Sequence, residues 1–282
     1  MIRIVTDSAA DMEAEELERF DIESVPLSVT FGDKTYLDGV TLSKDDFFEL
    51  LASEKEFPKT SQPSPESFLK VFEKAKKAGD SVICILLSQA LSGTYQSALI
   101  AKDMAEYDDI HIINSKLASG GEMLLCRQAA LMRDKGMGAE KIVKEIEALR
   151  DRARIVAGLD TLEYLCKGGR LSKAAAGIGT LANIKPVIRV TEEGEVALCE
   201  KCIGRKAMLK KLIKRIEDTG IDTSLPISFL YACDRTGLDN LMEKLEQMDF
   251  DISNHTIHNI GPTIGAHIGI GGYGIMYFVP VD

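Results

Sequence analysis

The first 150 residues alternate between short apolar runs and stretches with helical spacing, and that alternation narrows the fold more than any single motif. "IRIV", "VPLSVTF", "SVICILLS" and "IHIINS" have the length and apolar content of strands. Among and after them stand the amphipathic segments "DMEAEELERF", "SKDDFFELLASE", "SPESFLKVFEKAKKAG", "GTYQSALIAKDMAE" and "GGEMLLCRQAALMRDKG". Parallel strands need crossover connections, and helices that make them bury both faces of the sheet. The pattern therefore predicts a largely parallel sheet covered by helices. A further helix, "GAEKIVKEIEALRDRA", leads into "RIVAGL".

Beyond residue 157 the texture changes. "KPVIRVTEEGEVALCEKCIG" reads as a hairpin with Glu193-Gly194 at its turn. A basic helix, the strand "PISFLYACD", another helix, "FDISNHTIHNI" and a last strand, "IMYFVPVD", follow. The expectation is an α/β protein of two domains. Residues 1–157 carry the largely parallel sheet, residues 158–282 a mixed sheet, and the Gly-rich "CKGGRLSKAAAGIG" is the connector region.

Composition excludes several functions. The chain has 282 residues, 45% of them hydrophobic and 28% charged, with no apolar run long enough to span a bilayer. The segment "MIRIVTDSAAD" lacks the apolar stretch of a signal peptide, and a cytoplasmic location is expected. A net charge of −10 argues against nucleic acid as a partner. No H-E-x-x-H or phosphate-loop pattern is present, and the "CEKC" pair lies in an alternating strand pattern without a second pair. Gly269, Gly271 and Gly274 have dinucleotide-motif spacing, but a strand follows them where that motif opens a helix. Neither metal nor cofactor is expected.

Four stretches carry polar groups where a ligand would use them. "VTDSAAD" sets Thr6, Asp7 and Ser8 just after the first strand, as ligand contacts or helix caps. In "KTSQPSPESF", Ser64 and Pro65 with Ser67 suffice to start a helix, which leaves Thr60 and Ser61 unexplained. "LSQALSGTYQSA" places Ser92, Gly93 and Thr94 at a turn that opens a helix, where N–H groups and hydroxyls favour an anion. "IGPTIGAHIGIGGYG" encloses His267 in a Gly-rich loop. A catalytic pairing of Ser92 with His267 lacks the G-x-S-x-G elbow, since residues 90–94 read "ALSGT". The chain reads as a binder, with a serine-type acyl hydrolase or transferase using Ser92 and His267 as the alternative. Lys201–Arg215 holds seven basic residues and no acid. It is either a solvated helix face or a docking patch for an acidic partner, which Arg170 and Lys173 would join.

Taken together, "TDSAAD", "VPLSV", "YLDG", "TSQPS", "LSGTYQSA", "LEYLCKGGRLS", "NIKPVI", "GR" at 204–205 and "IGPTIGAHIG" occur in the order of the DegV family of bacterial fatty-acid-binding proteins, which the chain resembles along its length. The resemblance implies two α/β domains holding one long-chain fatty acid, such as palmitate, stearate or oleate, between them. It implies a buried acyl tail and a carboxylate at Thr60, Ser92 and His267, with Ser61, Gly93 and Thr94 beside them. It also implies that a separate ATP-using fatty acid kinase subunit phosphorylates the carboxylate, engaged through Arg170 and Arg205 near the site mouth, to which the basic-patch reading adds Lys173 and Lys206 as docking residues. Contact with a membrane surface would at most be transient. The chain departs from the family pattern at Ile270, where Pro is common between the glycines after the histidine.

Overall fold

The computed structural model describes residues 1–172, 174 and 184–281. The apolar runs pair as expected: β1 (Ile2–Asp7), β2 (Ile22–Val25), β6 (Ser81–Leu86) and β7 (Ile110–Asn114) form a parallel sheet in the order β2-β1-β6-β7. Helices α3 (Pro65–Ala78) and α4 (Thr94–Ala105) cover one face. α3 buries Phe68, Val71, Phe72 and Ala75, spaced i, i+3, i+4 and i+7, against Val5, Val82 and Leu86 of the sheet. Each of its large apolar side chains contributes roughly 1.5–3 kcal/mol by leaving water. On the other face lie α1 (Ala14–Phe20), α5 (Gly120–Asp134) and α6 (Ala139–Arg152).

"VPLSVTF" is not one strand. β2 ends at Val25, Pro26 withholds a ladder N–H, and the chain leaves the parallel sheet. β3 (Ser28–Phe31) instead pairs antiparallel with β4 (Lys34–Leu37) and β5 (Lys59–Ser61), a small sheet in the order β4-β3-β5. Phe47, Phe48 and Leu51 of α2 (Lys44–Ser53) pack on its Val29 and Phe31.

The second large sheet is mixed. It contains β8 (Ala153–Gly158), β9 (Ile184–Val190), β10 (Val196–Ile203), β11 (Ile227–Tyr231), β12 (His255–Asn259) and β13 (Tyr273–Phe278), in the order β10-β9-β8-β13-β11-β12. Only the β11–β12 pairing is parallel. Its outer face packs against α8 (Arg205–Thr219) and α9 (Thr236–Gln247), whose buried stripes include Met208, Leu212, Leu238 and Leu241. The short α7 (Glu163–Lys167) follows β8, and α10 (Pro262–Ile268) precedes β13.

The expected division after residue 157 would cut β8, which pairs with β9 and β13 inside the second sheet. The change of sheet therefore comes before Ala153. Local pattern identifies a strand but not the sheet it joins. α5 shows how the halves are joined. Met123, Leu124, Leu125 and Cys126 are all buried, so the helix is apolar all round at that turn, and it lies between the two sheets. Ile4 and Ile83 of the first sheet and Ile155 and Met276 of the second share that one core.

Candidate functional site

The C-terminal ends of the parallel strands open onto a cavity, the place where open α/β sheets bind ligands. Leu87, Leu91 and Ser92 follow β6, and Ala118 and Ser119 follow β7. α10 and the inner face of the second sheet close the space. Most of the wall is aliphatic, from Leu27, Ile155, Ile188, Val196, Leu230 and Ile264 among others, and the polar groups Thr60, Ser92, Arg170 and His267 also reach it.

Thr60 and His267, 207 residues apart, meet there: Thr60 Oγ1 lies 2.8 Å from His267 Nε2. The other ring nitrogen, Nδ1, is buried and has no hydrogen-bond partner among the described residues. Burial first, and the Arg170 charge second, push the His267 pKa down to about 4, so the ring is neutral at pH 7. Gly168 is required by the close approach of this ring, because a Cβ there would stand 2.2 Å from Nδ1. Arg170 is fixed by two carbonyls, its Nε donating to Leu91 O at 2.9 Å and its Nη1 to Gly168 O at 2.6 Å.

His267 does not sit in a loop. "PTIGAHI" is the helix α10, with Pro262 at its first turn and Gly269 as its C-cap at φ 70°. Two buried aspartates from the other end of the chain hold its start. Asp11 accepts from Gly261 N at 2.8 Å and from the Ser119 hydroxyl, and Asp38 accepts from Thr263 N at 3.1 Å. Sequence reasoning passed over both residues in this role, although Asp38 stands in the "YLDG" stretch.

The other expected ligand groups divide. Ser92 lines the cavity, and its hydroxyl lies 2.9 Å from Thr94 Oγ1. Thr94 itself is buried behind it, and Gly93 is the N-cap of α4 beside the Gln62 side chain, so these two shape the turn rather than face the cavity. Ser61 is an exposed neighbour of Thr60 on β5 that does not line the cavity, since successive strand residues point to opposite faces. Thr6, Asp7 and Ser8 turn inward. Thr6 donates to Glu122 at 2.9 Å, Asp7 accepts from Ala9 N and Leu87 N at 2.9 Å each, and Ser8 accepts from Leu27 N. Ser64 and Ser67 hydroxyls meet each other at 3.3 Å, and the Ser64 side chain makes no cap to a backbone N–H.

Of the expected docking residues, Arg205 opens α8 and is half-exposed, bonded to Asp160 at 2.7 and 3.3 Å, with Asp234 at 3.8 Å. Lys206 is exposed beside it, whereas Lys173 lies outside the described residues. Among the described residues no cluster of His, Cys, Asp or Glu is arranged to hold a metal ion, and no helix is long and apolar enough to cross a membrane.

The sequence profile of the family described as "Uncharacterised protein, DegV family" matches residues 1–279. The chain belongs to the DegV family. A DegV domain-containing protein of Caldanaerobacter subterraneus is 35% identical over 98% of both chains. Among solved structures, the fatty-acid-binding DegV family protein of Thermus thermophilus superposes with a TM-score of 0.90 at 29% identity, covering 99% of each chain. A stearic acid-binding protein of Eubacterium ventriosum does so at 0.85 and 32% identity, over 99% of this chain and 98% of its own. The DegV fold of two joined α/β sheets is thus shared across the whole length.

Proposed function

We propose that this DegV protein binds one long-chain fatty acid in the cavity and presents its carboxylate to a separate kinase subunit for phosphorylation to acyl phosphate. The observation that carries the binding half is the cavity's construction: an aliphatic wall joined to Thr60, Ser92, His267 and Arg170. Each CH₂ removed from water contributes roughly 0.8 kcal/mol, so the tail supplies most of the affinity. The head group needs donors, because an unpaired buried carboxylate is costly. In the neutral tautomer that carries its proton on Nε2, the His267 ring donates to Thr60 Oγ1, and the threonine proton is free for a carboxylate oxygen. Ser92 supplies a second hydroxyl donor, and the Arg170 guanidinium offsets the negative charge. The fatty acids bound by the Thermus thermophilus and Eubacterium ventriosum proteins support the same ligand class here.

The geometry gives no support to a serine hydrolase. The Ser92 hydroxyl pairs with Thr94 and the imidazole with Thr60, so the base is not placed on the nucleophile. A phosphoryl donor must come from a partner, and the half-exposed Arg205 at the start of α8 is the docking residue we assign to it.

Native mass spectrometry of the purified protein, with solvent extraction of its ligand, tests the reading. The expected result is one acyl chain per protein, released as a free acid. No extracted acid and no saturable uptake of added palmitate would overturn it. Arg205→Glu should leave that uptake intact while abolishing phosphoryl transfer from an added kinase subunit. Loss of uptake in this variant would remove the docking role.

A further inference from the structure

The inner face of the second sheet has a trough where a buried face should be filled. Strand register sets Leu198, Ile188, Ala157, Gly274 and Leu230 in one row across β10, β9, β8, β13 and β11. Two residues along β8 and β13 on the same face, Ile155 and Met276 pack into the core against α5. The row's two central members are thus an alanine and a glycine between Ile188 and Leu230. The chain entering α5 lines the same cavity with two further small residues, Ala118 and Ser119. Ala157 lies on an interior strand with a partner on each side, yet it is only partly buried, and it lines the cavity. Packed interiors do not leave such gaps without cost, since an empty apolar cavity destabilises in proportion to its volume. The trough is shaped for an occupant.

We propose that Ala157 is a specificity-determining residue of this cavity: its methyl sets the bore where the acyl chain crosses the second sheet, and with it which chains fit. The assignment rests on the fatty-acid reading above. It falls on Ala157 rather than Gly274 because a Cβ at Gly274 would stand 2.6 Å from the Val156 carbonyl oxygen. Gly274 is therefore held by the strand beside it, whereas Ala157 has a side chain that lines the cavity.

The experiment is competition of laurate, palmitate, stearate and oleate for the protein, read as relative affinities, with melting temperatures recorded alongside. In Ala157→Leu the added methyls fill the trough, and overpacking of this kind should disfavour stearate and oleate against laurate by roughly tenfold or more relative to the unaltered protein. Ala157→Gly widens the bore with little threat to folding and should move preference toward oleate, whose double bond bends the chain. If the unaltered protein takes up none of the four acids, the fatty-acid reading itself fails. If it takes them up but folded Ala157→Leu and Ala157→Gly keep its order of preference, only the Ala157 assignment is overturned. Should Ala157→Leu not fold, the glycine variant decides alone.

Discussion

Two groups of buried polar residues lie at the junction of the sheets, and only one has the makings of a site. The first is Thr60 with His267. The second is the set Asp7, Asp11, Asp38 and Glu122, whose carboxyls are all raised in pKa, chiefly by burial, with Asp7 and Asp11 pushed up to about 7. A strongly perturbed pKa is often taken as a sign of function, and by that measure the acids would rank first. Yet the three aspartates spend their oxygens on backbone N–H groups of Ala9, Leu87, Gly261 and Thr263. Each group keeps one atom unpaired among the described residues, His267 Nδ1, which packs on Gly168, and Glu122 Oε2. What distinguishes the first group is its place: Thr60 and His267 line the cavity, and none of the four acids does. The acids instead brace the scaffold: Asp7 joins the end of β1 to the residue after β6, Glu122 takes the Thr6 hydroxyl, and Asp11 and Asp38 hold the start of the helix that carries His267.

The largest effect that would break this contrast is on binding. Thr60→Val and His267→Ala each remove a link in the donor chain to the carboxylate. Hydrogen bonds to charged groups are worth about 1.5–3 kcal/mol, so affinity should fall roughly tenfold to a hundredfold. The double variant should lose less than the sum, because the two groups act in series. Displacement of a fluorescent fatty acid measures this, and unchanged affinity in either variant would leave the pair without its assigned role.

A smaller effect concerns stability and pH. Glu122 keeps its proton in the folded state at pH values where the unfolded chain has released it, because burial first and the Asp7 charge second raise its pKa well above the usual value. The folded state then binds more protons, so this group lowers stability as pH rises from about 4.5 upward. His258 and His267, pushed down to about 4, act in the opposite sense between that value and 6.5. Glu122→Gln isolates the acid's share. The amide resembles the protonated acid, so thermal melts should nearly coincide at pH 5 and separate in favour of the variant by pH 9. A variant that loses stability uniformly across that range would show that Glu122 is ionised in the fold.

The smallest effect sharpens the contrast within one strand. Ser61→Ala changes an exposed hydroxyl one residue from Thr60 and should leave fatty-acid affinity within a factor of about two, since surface substitutions usually stay within ±0.5 kcal/mol. A loss comparable to that of Thr60→Val would place Ser61 on the head group after all.

Sequence by itself determined the elements and the chemistry on offer. The alternation of apolar runs with amphipathic stretches predicted the parallel sheet and its helices, because side-chain period reports local structure directly. Thr60 and Ser61 stood out as hydroxyls beyond what a helix start consumes, Ser92 as a hydroxyl at a turn that opens a helix, and His267 as an imidazole among glycines. Thr60 and His267 meet in the fold, whereas Ser61 is exposed away from the cavity. Tertiary structure decided the rest. The Thr60–His267 contact spans 207 residues, and no local pattern encodes which strand lies opposite which helix. β8 joined the second sheet and Pro26 sent β3 into a third, since partner choice depends on the summed packing of distant faces. The trough at Ala157 and Gly274 follows from register alone: two small residues 117 positions apart become a channel only when β8 and β13 lie side by side.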